Sequence, residues 1–264
     1  MRINWTRWLV LSVALALLMG SCGPRVNRSE MDADAYFAYA KSLFDKGKYL
    51  DAITEFTVVT LKFSGTPVVD DAQFYLAESH YMNKEYLIAV AEYQKVVDDY
   101  PESPYVEKAF FKIGMSYFKL SRRPELDQEY TYKALRHFQN FIEAYPKSEL
   151  RKEAEERIAQ LRAKLARKQL LGGNIYRKMG IYDSAIIYYD ILLEKYYDTP
   201  SAIPALYYKA ECQMEMGKYD EAMSNFNLVI QKYPDSKYAR KAKRKLAKIQ
   251  EKLERQNHQE TAKK

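Results

Sequence analysis

A period of 37 residues runs through this chain. Tyr49, Ala52, Phe56 and Phe63 return as Tyr86, Ala89, Tyr93 and Tyr100, and Tyr182, Ala185, Tyr189 and Tyr196 return as Tyr219, Ala222, Phe226 and Tyr233. Four positions kept at one offset, twice over, define an array in which each unit buries its apolar face on its neighbour. The chain is expected to be an α-solenoid, and its function is to be sought on an extended surface.

Each unit reads as a helical hairpin. Apolar residues recur with a period near 3.6, a short break follows, a second helix returns, and a terminator closes it. Gly47-Lys48-Tyr49 and Gly217-Lys218-Tyr219 mark the breaks, since glycine accepts the left-handed conformation at a helix C-terminus. Tyr100-Pro101-Glu102-Ser103, Tyr145-Pro146-Lys147-Ser148 and Tyr233-Pro234-Asp235-Ser236 end second helices, because proline cannot continue the hydrogen-bond ladder. Small residues stand at Ala40, Ala77, Gly114, Gly173 and Ala210 on first helices, and at Ala52, Ala89, Ala134, Ala185 and Ala222 on second helices. They mark places where two helices cross closely. The pattern resembles the tetratricopeptide repeat over five units, which implies an all-α fold.

Two spacings depart from 37. Ala89 to Ala134 is 45 residues, the excess falling in Ser121 to Glu129, where Arg122-Arg123-Pro124 predicts a loop. Ala134 to Ala185 is 51, the excess falling in Arg151 to Gln169, a charged stretch with no Pro or Gly that predicts longer helices.

The N-terminus reads as a secretory signal over residues 1–21. Arg2 and Arg7 precede an apolar run from Trp8 to Met19, too short to span a bilayer comfortably, and small residues follow. Met19-Gly20-Ser21-Cys22 resembles the lipobox of bacterial lipoproteins, which implies a lipid thioether on Cys22 and acylation of its new amino group. Cysteine usage agrees, since only Cys22 and Cys212 exist and no disulfide framework can be built. Cys212 reads as a small buried hydrophobe. Two or three acyl chains would hold the mature chain on a membrane, with residues 22–31 as a tether. Gly23, which is not acidic, permits transfer to the outer membrane.

The net charge of +7 is unevenly placed. Lys237 to Lys264 holds eleven basic and three acidic residues, while residues 22–236 are slightly acidic. Within the tail, Ala239, Ala242, Leu246, Ile249 and Leu253 form one apolar stripe, as expected of a capping helix over residues 237–264. Contact of its basic face with anionic lipid or an acidic partner is the other reading. An export signal argues against nucleic acid.

More specific residues carry a further resemblance: Asp127-Gln128, Ala134, Phe138, Phe141-Ile142 and Tyr145-Pro146-Lys147-Ser148, then Leu165-Ala166, Tyr176, Gly180, Tyr182, Ala185 and Ile186. With the lipobox, the loop and the long middle helices, they resemble the BamD family, the tetratricopeptide-repeat lipoproteins of the outer-membrane β-barrel assembly machine. The resemblance implies a scaffold facing the periplasm. Its N-terminal repeats would receive C-terminal signals of unfolded outer-membrane proteins. Its C-terminal half would dock on the barrel-forming component, beside accessory lipoproteins. Gln169, Tyr176 and Tyr188 are the candidate docking residues. The chain departs from the family's pattern where Gln169 stands for the usual Glu, Gly172-Gly173 for larger residues and Tyr188 for a basic one.

The repeat register supplies a candidate ligand site. Three residues before the small position of the first helix stand Phe37, Phe74 and Phe111, and seven further on stand Phe44, Tyr81 and Phe118. Residues seven apart share a helix face, so six aromatics are expected in two rows along the inner surface of residues 32–121. Lys41 and Glu78 flank them, a combination suited to an extended peptide. Packing between neighbouring first helices is the competing account. At the corresponding places the later repeats carry Leu170, Arg177, Tyr207 and Met214, which confines the aromatic groove to the N-terminal half. Burying one terminal Phe is worth about 2 kcal/mol before entropic losses, so binding is expected to be weak and releasable.

Catalytic constellations are not found. His80, His137 and His258 have no metal-ligand spacing, and Gly172-Gly173 is too short for a phosphate loop. No enzyme activity, cofactor or metal is expected. Another tetratricopeptide-repeat envelope lipoprotein, coordinating peptidoglycan or uptake machinery, remains the alternative.

Overall fold

A computed structural model describes residues 28–262. Its long helices follow one another along the chain: α1 (Ala33–Asp45), α2 (Tyr49–Lys62), α3 (Val69–Met82), α4 (Tyr86–Asp99), α5 (Val106–Leu120), α6 (Glu129–Ala144), α7 (Arg151–Lys178), α8 (Tyr182–Lys195), α9 (Ala202–Glu215), α10 (Tyr219–Lys232) and α11 (Lys237–Ala262). Each helix packs on the next, and most first helices also meet the first helix of the following unit. This is an all-α tetratricopeptide-type solenoid of five hairpins, with α11 laid on the last.

Local chemistry fixes the hairpins. The three terminators, and the turns at Phe63–Thr66 and Tyr196–Thr199, take one and the same form, in which the backbone N–H of Thr66, Ser103, Ser148, Thr199 and Ser236 donates to the carbonyl three residues back at 2.9–3.1 Å. Gly47, Gly180 and Gly217 hold φ of 73°, 77° and 76° at the breaks within units, the left-handed C-terminal geometry that glycine takes without penalty. The small positions are fully buried. Ala40, Ala52, Ala77, Ala89, Ala134, Ala185, Ala210 and Ala222 are all 0% exposed. A methyl added to Gly114 would lie 2.9 Å from the Phe138 ring, and one added to Gly173 would lie 2.4 Å from Tyr189.

Both irregular spacings have structural causes. The first is a loop before α6, held from inside by Gln128, whose amide donates to the carbonyls of Arg123 and Leu126 at 2.8 and 3.0 Å and whose Oε1 accepts from Thr131. The second is one continuous helix, α7, of 28 residues. At 1.5 Å per residue it runs about 42 Å, long enough for its own side chains to brace the loop. Lys164 donates to Ser121 Oγ at 2.7 Å and Lys168 to the Leu126 carbonyl at 2.8 Å.

The first described residues, at the end of the expected tether, contact the first hairpin. Arg28–Glu30 form a short 3-10 turn, Arg28 pairs with the buried Glu55, and Met31 packs on the first-hairpin core. An apolar residue and a carboxylate within reach make these residues part of the fold. Cys22 and the signal segment lie outside the described residues. At the other end Ala239, Ala242 and Ile249 are buried, with Leu246 and Leu253 packed beside them, so the stripe on α11 closes the last core cluster. Among the described residues no helix is long and apolar enough to cross a membrane, and no group of three or more His, Cys, Asp and Glu side chains is placed to hold a metal.

Candidate functional site

The two expected aromatic rows fare differently. Phe44, Tyr81 and Phe118 stay half-exposed on the first helices of units one to three. A cation sits near each ring: Lys41 lies 5.6 Å from Phe44, Lys112 lies 4.5 Å from Tyr81, and Arg157 lies 5.2 Å from Phe118. Burial pushes the Tyr81 hydroxyl up to about 12, so it stays a neutral donor.

The other row is mostly core. Phe37 remains half-exposed against Phe56 and Tyr75, but Phe74 is 1% exposed and Phe111 is 4% exposed. Phe74 stacks on Tyr105 with ring centres 4.4 Å apart, and Phe111 packs on Phe138 and Phe141 at 5.6 and 5.3 Å. The reason lies in the spacing. A residue three before the small position sits one turn from the closest helix crossing, and where a unit packs on each side, as at Phe74 and Phe111, that crossing buries it, while Phe37 in the first unit has a neighbour on one side only. Phe74 and Phe111 are therefore packing residues and not groove lining.

Glu78 is likewise a structural tie. Its buried carboxylate accepts from Tyr93 Oη at 2.6 Å and from Lys112 Nζ at 2.9 Å, joining units two and three. Burial, then the nearby Glu78 charge, holds the Tyr93 hydroxyl well above its ordinary range. Lys41 is less committed. Its ion pair is with Asp45 one turn away, and it stands 4.8 Å from the Tyr75 ring.

Tyr75 is the partly exposed aromatic of these units that the register misses. Its ring meets Phe37, Phe44, Phe56, Phe74 and Tyr105 at centroid distances of 5.4–6.1 Å, which makes it the hinge of the aromatic cluster between units one and two. At 37 residues to either side stand Ala38 and Lys112, so no column of like residues announces it. The aromatics of the expected groove that stay partly exposed are Phe37, Phe44, Tyr81 and Phe118, with Tyr75 beside the first two and Lys41 near Phe44 and Tyr75.

In the C-terminal half, Gln169 and Tyr176 lie on one face of α7, where Gly172 also falls, and all are partly exposed. Tyr176 stacks on Tyr188 of α8 with centroids 5.4 Å apart. The Tyr188 ring occupies the space that a Gly172 side chain would fill, its nearest atoms 2.7 Å from an ideal Cβ. The glycine and the tyrosine thus complement each other. Ile175 and Met179 stand exposed beside this pair, at 59% and 64%. Their place at the rim of the hairpin gave no periodic signal, because exposed apolar residues break the pattern instead of extending it.

Arg162 and Asp198 fix the next junction, with guanidinium contacts of 2.6 and 3.1 Å to the carboxylate. That hydrogen bonding holds Asp198 below the usual carboxylate range. Cys212 is buried and its thiol is pushed up to about 12, chiefly by burial, which leaves it an inert packing residue.

Solved structures similar to this chain are repeat proteins of the same kind. The TPR2AB domain of yeast Sti1, in a complex with pHSP90, aligns with a TM-score of 0.43 and 18% identity over 84% of each chain. A thermophilic TPR protein of Thermus thermophilus aligns at 0.35 and 18%, over 83% of this chain and 98% of its own. A tetratricopeptide repeat protein of Parabacteroides merdae aligns at 0.36 and 16%, over 84% and 75%. No curated protein matches the sequence. The family model for YfiO, described as outer membrane lipoprotein, matches residues 29–223 and 213–262. Those two stretches take in all five hairpins, the braced loop, the long α7 and the cap, and the chain belongs to this family of outer membrane lipoproteins.

Proposed function

We propose that the chain is the non-enzymatic receptor and scaffold lipoprotein of the outer-membrane β-barrel assembly machine. It is anchored through Cys22 and faces the periplasm. Its N-terminal groove takes the C-terminal signal of an unfolded outer-membrane protein, and its C-terminal half, at Gln169, Tyr176 and Tyr188, docks on the barrel-forming component. Family membership supports the scaffold. One observation supports the groove: the row Phe44, Tyr81 and Phe118 stays half-exposed although every ring has a neighbour that could have covered it.

A strand that ends in an aromatic residue suits this row. Its ring would pack beside Phe44 and Tyr75, and its terminal carboxylate would reach Lys41, whose present partner is an exposed one-turn pair worth little. Binding of the full chain to a C-terminal outer-membrane peptide ending in Phe tests the site. Phe44→Ala combined with Tyr81→Ala is expected to weaken binding about tenfold, the loss of one well-buried ring contact. Unchanged affinity rejects the groove. A pull-down from detergent-solubilised membranes tests the scaffold: recovery of a polypeptide-transport barrel protein supports it, and recovery of only peptidoglycan-synthesis factors favours the other envelope role.

A further inference from the structure

Past the last hairpin the repeat register changes character. The column that holds Phe37, Phe74, Phe111, Leu170 and Tyr207 reaches Arg244, 37 residues after Tyr207, on the capping helix. The column beginning at Asp34 and Asp71 continues through Lys108, Arg167 and Pro204 and ends on Lys241. In register α11 is the first helix of a sixth unit, and at these two columns it carries exposed cations where the earlier units of the first column carry mostly buried apolar residues.

These side chains border an open recess of about 250 Å³ between α9 and α11, lined by Tyr207, Lys241, Arg244, Lys245 and Lys248, with Lys241, Arg244 and Lys248 exposed at its mouth. The four cations fall at intervals of three and four, on one stripe of the helix. The nearest carboxylate is already engaged: Glu211 accepts from Tyr207 Oη and from Lys245 at 2.9 Å, with Arg177 3.7 Å away. Among the described residues, Lys241, Arg244 and Lys248 have no carboxylate within ion-pair distance. Capping does not require them, because the apolar stripe from Ala239 to Leu253 performs it. Like charges gathered in a concave site repel one another and focus a positive field, and an anion bound there relieves the repulsion.

We propose that this recess binds an acidic, extended segment of a partner polypeptide. The recess favours that occupant, since its cations lie in one line along the seam where α11 meets Tyr207 of α9, a track that an extended acidic chain can follow. The dimensions fit as well. Carboxylates on alternate residues of a strand are about 7 Å apart, and seven residues of helix from Lys241 to Lys248 rise about 10 Å. Two such carboxylates fit between the ends of the stripe.

The test uses the full chain in neutral detergent and a fluorescent peptide with alternating Ser and Glu, which lacks aromatic residues and so reports nothing of the N-terminal groove. Anisotropy is expected to show saturable binding, at least tenfold weaker for the peptide with Gln in place of Glu. Arg244→Gln with Lys248→Gln should weaken it tenfold or more, while Arg240→Gln with Lys243→Gln, an equal charge loss at α11 positions that do not line the recess, should change it less than twofold. Circular dichroism melts of both variants verify that α11 stays folded. Equal losses from the two pairs, or no preference for Glu over Gln, overturn the proposal. Displacement of the peptide by inorganic phosphate or by soluble dioctanoyl phosphatidylglycerol, at concentrations below those at which the peptide itself binds, also overturns it by assigning the recess to phosphate groups.

Discussion

Lys84 shows how strongly a single backbone position is dictated by the repeat. It stands 37 residues after Gly47 and holds φ of 65° where Gly47, Gly180 and Gly217 hold nearly the same angle. A side chain there costs roughly 1 kcal/mol in steric strain, partly offset because glycine makes the unfolded chain freer. Lys84→Gly is therefore expected to raise stability by about 0.5 kcal/mol, read as a higher urea midpoint with an unchanged slope. Gly173 works in the opposite sense. Its missing side chain leaves room for Tyr189, which is 0% exposed and hydrogen-bonded to Asn174 at 2.9 Å, so the ring cannot retreat. Gly173→Ala should cost about 1–3 kcal/mol. Gly172→Ala should cost less, because Tyr188 is half-exposed and can swing outward. His137 adds a pH dependence. Its ring stacks on Phe110 at 4.6 Å, its Nε2 is buried without a partner, and burial lowers it to about 4. The folded state then prefers the neutral ring, so as pH falls from about 6.5 towards 4 the unfolded chain takes up the proton and gains. Between pH 7 and pH 4.5 the stability of the wild-type chain should fall more than that of His137→Phe, measured by urea unfolding at each pH.

At the scale of elements, the joints between hairpins are where packing and charge work together. Glu78 of α3 holds Lys112 of α5 while accepting from Tyr93 of α4, so one carboxylate ties three helices. Removing one partner of a buried pair leaves the other uncompensated. Glu78→Ala is expected to lower stability by about 3 kcal/mol, and Glu78→Gln by less, since an amide oxygen still accepts from Tyr93; thermal unfolding of both variants checks the order. The same joints explain which features are legible in the sequence. Hairpin breaks, terminators and close crossings each restrict the residue types they accept, so glycine, proline and small residues mark most of them in the primary structure, Lys84 being an exception at a break. The depth of the neighbouring unit is marked by nothing local. Phe74 and Phe37 occupy the same register, yet one stacks under Tyr105 and the other stays half-open, because only the first has a full unit on each side. Tyr75 carries no mark for the complementary reason: it fills an interface between units, which recurs in space and not in type. The loop before α6 is legible as an interruption, but its bracing by Lys164 and Lys168 depends on the length of α7.

For the whole molecule, the consequence of a solenoid is that stability is carried from neighbour to neighbour, and an end without a cover exposes a core. The helix α11 is that cover. Ile249 is 1% exposed, and Leu246 and Leu253 pack beside it onto Leu206, Tyr207 and Phe226. At about 1.5–3 kcal/mol for each fully buried aliphatic side chain, a chain ending at Ser236 forfeits on the order of 5 kcal/mol at a single interface. That is comparable to the whole stability of a small domain, but it is lost locally. Hydrogen exchange should show α9 and α10 unprotected in the truncated chain while α1 to α4 keep their protection, and the Phe-ended peptide should still bind at the N-terminal row. A uniform loss along the array would show instead that the five hairpins unfold as one unit. The braced α7, which links the early and late hairpins through the Ser121 loop on one side and Asp198 on the other, is the element through which such coupling would have to pass.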